Sequence, residues 1–580
     1  MTTATLRTQV VDHGHEGDLK NCPVFRMMPA DLREKAEAFP PLMDYLHVMP
    51  VEELGIPKYV PELSRKMGDL KNPNIIYPVR DHLFVHIYPD AKDSRNVYAS
   101  IEPGMFDNVD EVIQDIELRF LGFVHELEAY KSVEERRAIL LSSLDRVVEM
   151  PWQGKAHASL CKVVLKLRSR LAGNNKKLVL TKKQYDAVRY RLERDKIGMG
   201  VLEPLLQDSN IEDISCSGLG FIFIEHKVFR SVKSNISFHS MEELDHFVVR
   251  MSEKIGRPVT FREPVVDSTL PDGSRINIVF GGDVSKRGSN FTIRKFADDP
   301  MSIVQLVEFG SLSWQMAAYL FIMLQHGMNM FVAGETASGK TTLMNALTTF
   351  IKPNAKIVSI EDTPELQVPH PNWIREVVRG TSKQSQASSV TMFDLLKAAL
   401  RQRPNEIIIG EIRGEEGAIA FQAMQTGHSA MATFHASTVE RLIQRLTGDP
   451  INVPKNYIDN LNLVVIQSAV QLPDGKQGRR TTSISEIIGY DPVTQGFAYV
   501  EIFRWNPATD TFEYPGYMNS PLLEERISLM RGIAPAQKRS IYEEVERRAT
   551  ILERLSQKGV RSFRDVYSII AQAYRRGLIR

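Results

Sequence analysis

The chain is poor in cysteine. Its three thiols, Cys22, Cys161 and Cys216, lie far apart with no C-x-x-C pair, which argues against a disulfide framework or a zinc site and for reduced thiols in a cytoplasm. Long apolar runs are also missing. The stretch from Met316 to Ala333 is interrupted by Gln325, His326 and Asn329, so no segment reads as a membrane-spanning helix. The opening residues, with Asp12, His13, His15 and Glu16, contain no apolar signal core. A cytoplasmic location follows, with any membrane contact peripheral or through a partner. Charge of one sign is missing too: 72 Lys and Arg against 71 Asp and Glu leave a net +1. That balance argues against a dedicated nucleic-acid coat, as does the lack of a segment interleaving aromatic and basic residues. No internal repeat is visible. What remains is an ordinary globular composition, 43% hydrophobic and 25% charged over 580 residues, enough for about three or four domains.

One stretch stands out from this background. Gly334-Glu335-Thr336-Ala337-Ser338-Gly339-Lys340-Thr341, followed by Thr342, fits G-x-x-x-x-G-K-[ST], the phosphate-binding loop. Gly334 and Gly339 allow backbone turns that a side chain would block, so successive N–H groups can face phosphate oxygens. Lys340 supplies a flexible charge for the β- and γ-phosphates, and the Thr341 hydroxyl suits Mg²⁺. A chance match is expected only roughly a few times in a hundred sequences of this length. The apolar run Met330 to Ala333 before the loop reads as a buried strand. The helical pattern Leu343, Met344, Leu347, Phe350 follows and stops at Pro353.

The rest of the chain divides by pattern. Residues 1–107 are mixed, with one clear strand from His82 to Tyr88; its two histidines read as structural rather than as metal ligands. Residues 108–198 are helical and include a basic stretch, Lys162 to Lys196, with twelve Lys or Arg against three Asp or Glu. It reads either as a solvated helix face or as a docking face for anionic lipid or an acidic partner. Residues 199–297 form a small α/β unit, 298–310 a linker, 311–520 a larger α/β unit, and 521–580 a charged helical region. In the larger unit strands alternate with helices, which indicates a mostly parallel sheet. Two of its strands end in carboxylates: Lys356 to Ile360 runs into Glu361-Asp362, and Glu406 to Gly410 runs into Glu411. Ligands of doubly wound sheets bind at that edge. Arg275 and Arg294 sit on strands just before this unit. Taken alone they read as surface ion-pair residues; beside a phosphate loop they suit the γ-phosphate.

Together these motifs resemble the secretion-ATPase superfamily of type II secretion, type IV pili and the archaellum, over about Gly200 to Gly496. Its Asp box is similar to Ile360-Glu361-Asp362-Thr363, its Walker B to Ile407 through Arg413, and its His box to Thr426-Gly427-His428 through His435. The resemblance implies a RecA-like P-loop NTPase core in an α/β fold, with a preceding α/β domain, assembled as a homohexamer. It implies ATP and Mg²⁺ as cofactors, with Thr341 and Glu411 on the metal side. By the same resemblance Glu361 is the general base, Glu411 positions the Mg²⁺-bound water, Arg275 and Arg294 are γ-phosphate arginines from the preceding domain, and His435 senses the γ-phosphate. An integral membrane platform protein is the implied partner. Asn74 to Pro78 and Tyr98 to Pro103 resemble archaeal members, and the whole chain most resembles the archaellum branch, although an archaeal pilus or secretion ATPase shares nearly all these features. A nucleic-acid translocase on the same core and a non-hydrolysing scaffold are the other readings. The chain departs from common patterns in two places. Gly410, not Asp, precedes Glu411, as is usual in this superfamily, and Arg403-Pro404-Asn405 stands where many relatives have Arg-Pro-Asp. A hinge near Asp298-Asp299-Pro300 is expected to absorb domain closure.

Overall fold

The computed structural model describes residues 23–580 except 81, 106–108, 124–131, 151–176, 297–298, 380–389, 492, 494–495 and 580; side chains at 23–24 and 65–66 are also outside the description. The chain forms two compact units, Met1–Phe296 and Ala297–Arg580. Part of the basic stretch (162–176) and Asp298 lie outside the described residues.

The first unit is built on one ten-stranded sheet. Strands Lys58–Tyr59, Ile75–Arg80, Leu83–Pro89 and Asn96–Ile101 form one side. Asn96–Ile101 pairs in parallel with Arg230–Phe238, and the sheet continues through Gly220–His226, Ile211–Cys216, Asn290–Arg294, Arg275–Val279 and Val265–Thr269. Helix Met241–Lys254 covers this second half. Ser240 caps it by accepting from Glu243 N, and Leu244, Phe247, Val248 and Met251 are its buried stripe, at the spacing of one helical face. Helices Ala30–Ala38 and Pro40–Val48 pack on Ile76, Phe84 and Ile101 of the N-terminal strands. His86 is structural, as expected. It is fully buried, lies 2.7 Å from both Tyr45 Oη and Asn74 Oδ1, and burial lowers its pKa to about 3.

The described part of the basic stretch is largely ion-paired within its own unit. Lys183 pairs with Asp44, Arg189 with Glu193, Arg191 with Asp110, Arg194 with Glu102 and Lys196 with Glu117. Those charges neutralise local carboxylates, which favours the solvated-face reading for residues 177–196.

In the second unit the sheet order is Trp373–Val377, Ile357–Glu361, Glu406–Ile412, Ser429–Phe434, Met330–Ala333, Leu463–Gln471, Gln477–Asp491, Gly496–Asn506 and Thr511–Glu513. The first six are parallel; the last three add antiparallel hairpins. The strand after the Walker B segment lies between it and the phosphate-loop strand, which makes this the expected RecA-like core. Alternation along each strand gives two apolar faces. Val332, Ile357, Ile408 and Val465 meet helices Trp314–Gln325 and Ile541–Gln557. Phe331, Val358, Ile409 and Val464 meet Met392–Arg401, Glu416–Gln425 and Val439–Thr447. Trp314–Gln325 is buried from Met316 onward, which explains why its run is nearly all apolar. Helix Ile303–Glu308, within the stretch read as a linker, contributes Ile303, Val304 and Leu306 to this core. Among the described residues no helix is long and apolar enough to cross a membrane.

Candidate functional site

The site grows from the strand Met330–Ala333, buried at all four positions and paired in parallel on both sides. At its end Gly334 turns away with φ +159°, and a Cβ there would lie 2.1 Å from the carbonyl oxygen of Gln467. Only glycine fits so close to the neighbouring strand. Gly339, at φ +96°, precedes helix Lys340–Thr348 as its left-handed cap. Glu335, Thr336 and Ala337 are exposed, whereas Ser338 is buried and donates to the Glu335 carbonyl at 2.8 Å. The loop therefore presents backbone N–H groups at a helix N-terminus, the arrangement that suits phosphate. Lys340 Nζ donates to the carbonyls of Gly334 (2.9 Å) and Glu335 (2.8 Å). Burial lowers the Lys340 pKa, and Glu411 and Glu365 act against that shift. Thr341 and Thr342, on the first turn of the helix, are half-buried.

The two carboxylate-ended strands are neighbours, but their carboxylates differ. Glu361 is 1% exposed. Its Oε1 accepts from Glu365 N and Leu366 N, each at 2.7 Å, and its Oε2 lies 3.3 Å from Arg375 Nε. Burial raises its pKa, and these hydrogen bonds and Arg375 pull it back. Gly410 explains how so large a group is accommodated: a Cβ at 410 would stand 3.2 Å from Glu361 Cγ. A glycine before the Walker B glutamate thus leaves room for the neighbouring strand's Glu361, which any Cβ at 410 would crowd. Glu411 is more open. Its Oε1 lies 2.8 Å from His435 Nε2, and its Oε2 accepts from Arg413 at 2.6 Å. His435 follows strand Ser429–Phe434; burial, then Lys340, lowers its pKa, with Glu411 opposing. Lys340, Glu411 and His435 therefore form one electrostatically coupled group at the carboxyl edge of the sheet, beside Glu361. His428, at the opposite end of the same strand, is not part of it.

Arg275 and Arg294 belong to the first unit. Their strands are antiparallel partners in a register that sets Arg275 directly opposite Arg294, with Arg294 opposite Asp213 on its other side. Both are exposed. Arg275 makes two bonds to Asp267, at 3.0 and 3.2 Å, and Arg294 lies 3.2 Å from Asp213. Like charges placed across a ladder repel, and the two aspartates offset that cost. The sequence pattern placed both arginines on strands but gave no sign that they are cross-strand neighbours. It also missed Arg375 and Gln467, which touch the site from neighbouring strands and carry no local motif.

One buried acid lies at the other edge. Glu406, the first residue of the Walker B strand, is 3% exposed, its Oε1 has no hydrogen-bond partner, and burial pushes its pKa up from 4.5 to about 8. In the window between those values the folded chain keeps the proton and the unfolded chain releases it, so raising the pH favours unfolding, by up to about 1.4 kcal/mol per pH unit. Glu406→Gln is neutral throughout and removes that dependence. Denaturant unfolding at pH 5 and pH 8 should show the wild type losing a few kcal/mol (~3) relative to the variant; equal losses would refute it.

The model of the type II/IV secretion system protein family matches residues 195–493. An uncharacterised protein of Methanocaldococcus jannaschii is 42% identical over 559 residues, which is 96% of this chain and 98% of that protein. The type IV secretion system protein PtlH of Bordetella pertussis is 30% identical over 42% of this chain and 78% of its own length. Of solved structures, the VirB11 ATPase of the Brucella suis type IV secretion system is 25% identical, covering 53% of this chain and 95% of that one, with a TM-score of 0.26. With its phosphate loop, paired strand-end carboxylates and matched span, this chain belongs to the type II/IV secretion system protein family.

Proposed function

We propose that the chain is an ATPase that works as a homohexameric ring, acting through an integral membrane platform protein to assemble an archaellum or a type IV pilus-like filament. An archaeal secretion or pilus ATPase is the second reading, supported by the likeness to PtlH. The observation that carries the ATPase reading is the convergence of Lys340, Glu411, His435 and Glu361 at one sheet edge beside an open phosphate loop.

The residues present fit the nucleotide and its metal. The loop N–H groups from Glu335 to Thr342 and Lys340 would hold the phosphates, and Thr341 and Glu411 would hold Mg²⁺. When bound, these groups supply the phosphoanhydride to be cleaved and charge neutralisation around it. The chain does the rest. Glu411, fixed between Arg413 and His435, orients the attacking water. Glu361, with its pKa raised by burial, accepts a proton. Arg275 and Arg294 stabilise charge on the transferring group.

The test is phosphate release by the purified full chain with MgATP, repeated with anionic lipid vesicles and with single-stranded DNA. Steady turnover, stimulated by the vesicles and not by DNA, is expected. Stimulation by DNA alone would favour a translocase, and absence of turnover a non-hydrolysing scaffold.

A further inference from the structure

The hairpin Leu463–Gln471 and Gln477–Asp491 carries more than sheet pairing. Its register slips between Ile466 and Gln467, where the Gln467 carbonyl meets Gly334. Such bulges re-aim the side chains near them. Further along, Arg479 and Arg480 point to opposite faces, as successive strand residues must. Arg480 is buried and anchored by two 2.7 Å bonds to Asp510. Arg479 is exposed and turns the other way, over the phosphate loop. Its Nε donates to the Ala337 carbonyl at 3.0 Å. Its stem crosses Gly339, where an added Cβ would be 3.3 Å from Arg479 Cδ. Ala337 stands at φ +61°, a left-handed conformation that residues with a Cβ rarely adopt. Ser338 and Lys340 hold the Glu335 carbonyl from within the loop, and the Arg479 bond holds Ala337 itself from the neighbouring hairpin.

We propose that Arg479 is a positioning residue for nucleotide binding: a clamp from the same chain that holds the tip of the phosphate loop in its phosphate-accepting shape. This rests on the nucleotide reading of that loop. The anchoring of Arg480 fixes the strand, the bulge sets its course past Gly334, and Arg479 transmits that placement to Ala337. Loosening the clamp disorders the N–H cradle before phosphate arrives, so the loss falls on nucleotide affinity and not on the chemical step.

Arg479→Ala and Arg479→Gln separate the clamp from other roles. Glutamine places its Nε2–H₂ at the same bond count from the backbone as the arginine Nε–H, without the charge. Measured by phosphate release, Arg479→Ala should raise the KM for MgATP about tenfold, the scale of one charge-assisted hydrogen bond, with kcat changed less than twofold. Arg479→Gln should return KM to within about threefold of wild type, because the donor is kept. The nucleotide-free unfolding midpoint of all three proteins should agree, since Arg479 is exposed. The clamp is overturned if Arg479→Ala leaves KM within twofold of wild type, if Arg479→Gln is as impaired as Arg479→Ala, or if the midpoint falls in step with KM. Failure of the wild type itself to bind or turn over MgATP would instead overturn the nucleotide reading, and the clamp with it.

Discussion

Arg294→Ala should reduce ATP turnover by about 10³–10⁵-fold, the scale of a transition-state arginine, while leaving the fold nearly unchanged. The two halves of that expectation have separate causes. Arg294 is exposed, and its ion pair with Asp213 is at the surface; such pairs contribute about 0–1 kcal/mol. Its strand partner is Arg275, so removing either arginine also relieves a repulsion across the ladder. Little folding stability is therefore lost, and a turnover defect cannot be ascribed to unfolding. Arg275→Ala should behave alike. Arg→Lys at either position keeps the charge but loses the planar fork that suits phosphate and, at Arg275, binds Asp267, so rescue should be incomplete. Phosphate release measured alongside the unfolding midpoint decides the matter. Turnover within tenfold of wild type in both alanine variants would remove these arginines from the chemistry and return them to the surface ion-pair reading.

Glu411→Gln and Glu361→Gln should each lower turnover by about 10²–10⁴-fold, as expected for lost orientation or proton transfer, but they should differ in everything else. Glu411 is partly open, accepts from Arg413 and lies 2.8 Å from His435 Nε2, so its glutamine variant should fold as the wild type does. Glu361 is enclosed, and both its oxygens are used. Glutamine can keep its carbonyl toward the N–H groups of Glu365 and Leu366, but its amide then faces Arg375, donor against donor. A lower unfolding midpoint should accompany the lost activity. The pH–rate profile gives an independent check. Burial holds the Glu361 carboxyl above its ordinary value, so the acid limb of wild-type turnover should lie above the usual carboxylate range. An acid limb at an ordinary glutamate value would remove Glu361 as the proton acceptor.

Local chemistry made most of the site legible. Gly334 through Thr341 announces itself by spacing, and Glu361 and Glu411 by standing at the ends of apolar runs. Helix starts at Ser132, Ser240 and Thr391 are local too, each fixed by its own capping side chain. Pairing between distant segments was not readable. Nothing in Asn96–Ile101 says that it lies beside Arg230–Phe238, and nothing around Arg479 says that a hairpin lays it on Ala337. The reason for Gly410 appears only once Glu361 is seen packed against it. Each of these depends on which strands become neighbours, a property of the whole sheet. The Lys162–Lys196 stretch shows the same limit: its positive surplus is real in the sequence, yet Asp44, Glu102, Asp110 and Glu117, all distant along the chain, meet four of its cations.

The ten-stranded sheet of the first unit has a mechanical meaning. One edge is Lys58–Tyr59 and the other is Val265–Thr269, with the two arginine strands just inside it. At about 4.8 Å per strand it is a plate on the order of 40 Å wide, stiffened along most of that width by hydrogen-bond ladders and by helix Met241–Lys254 on its second half. The strand Lys58–Tyr59 and the Arg275–Arg294 pair therefore belong to one continuous ladder, so the two guanidinium groups are carried on the same span of sheet as the N-terminal strands.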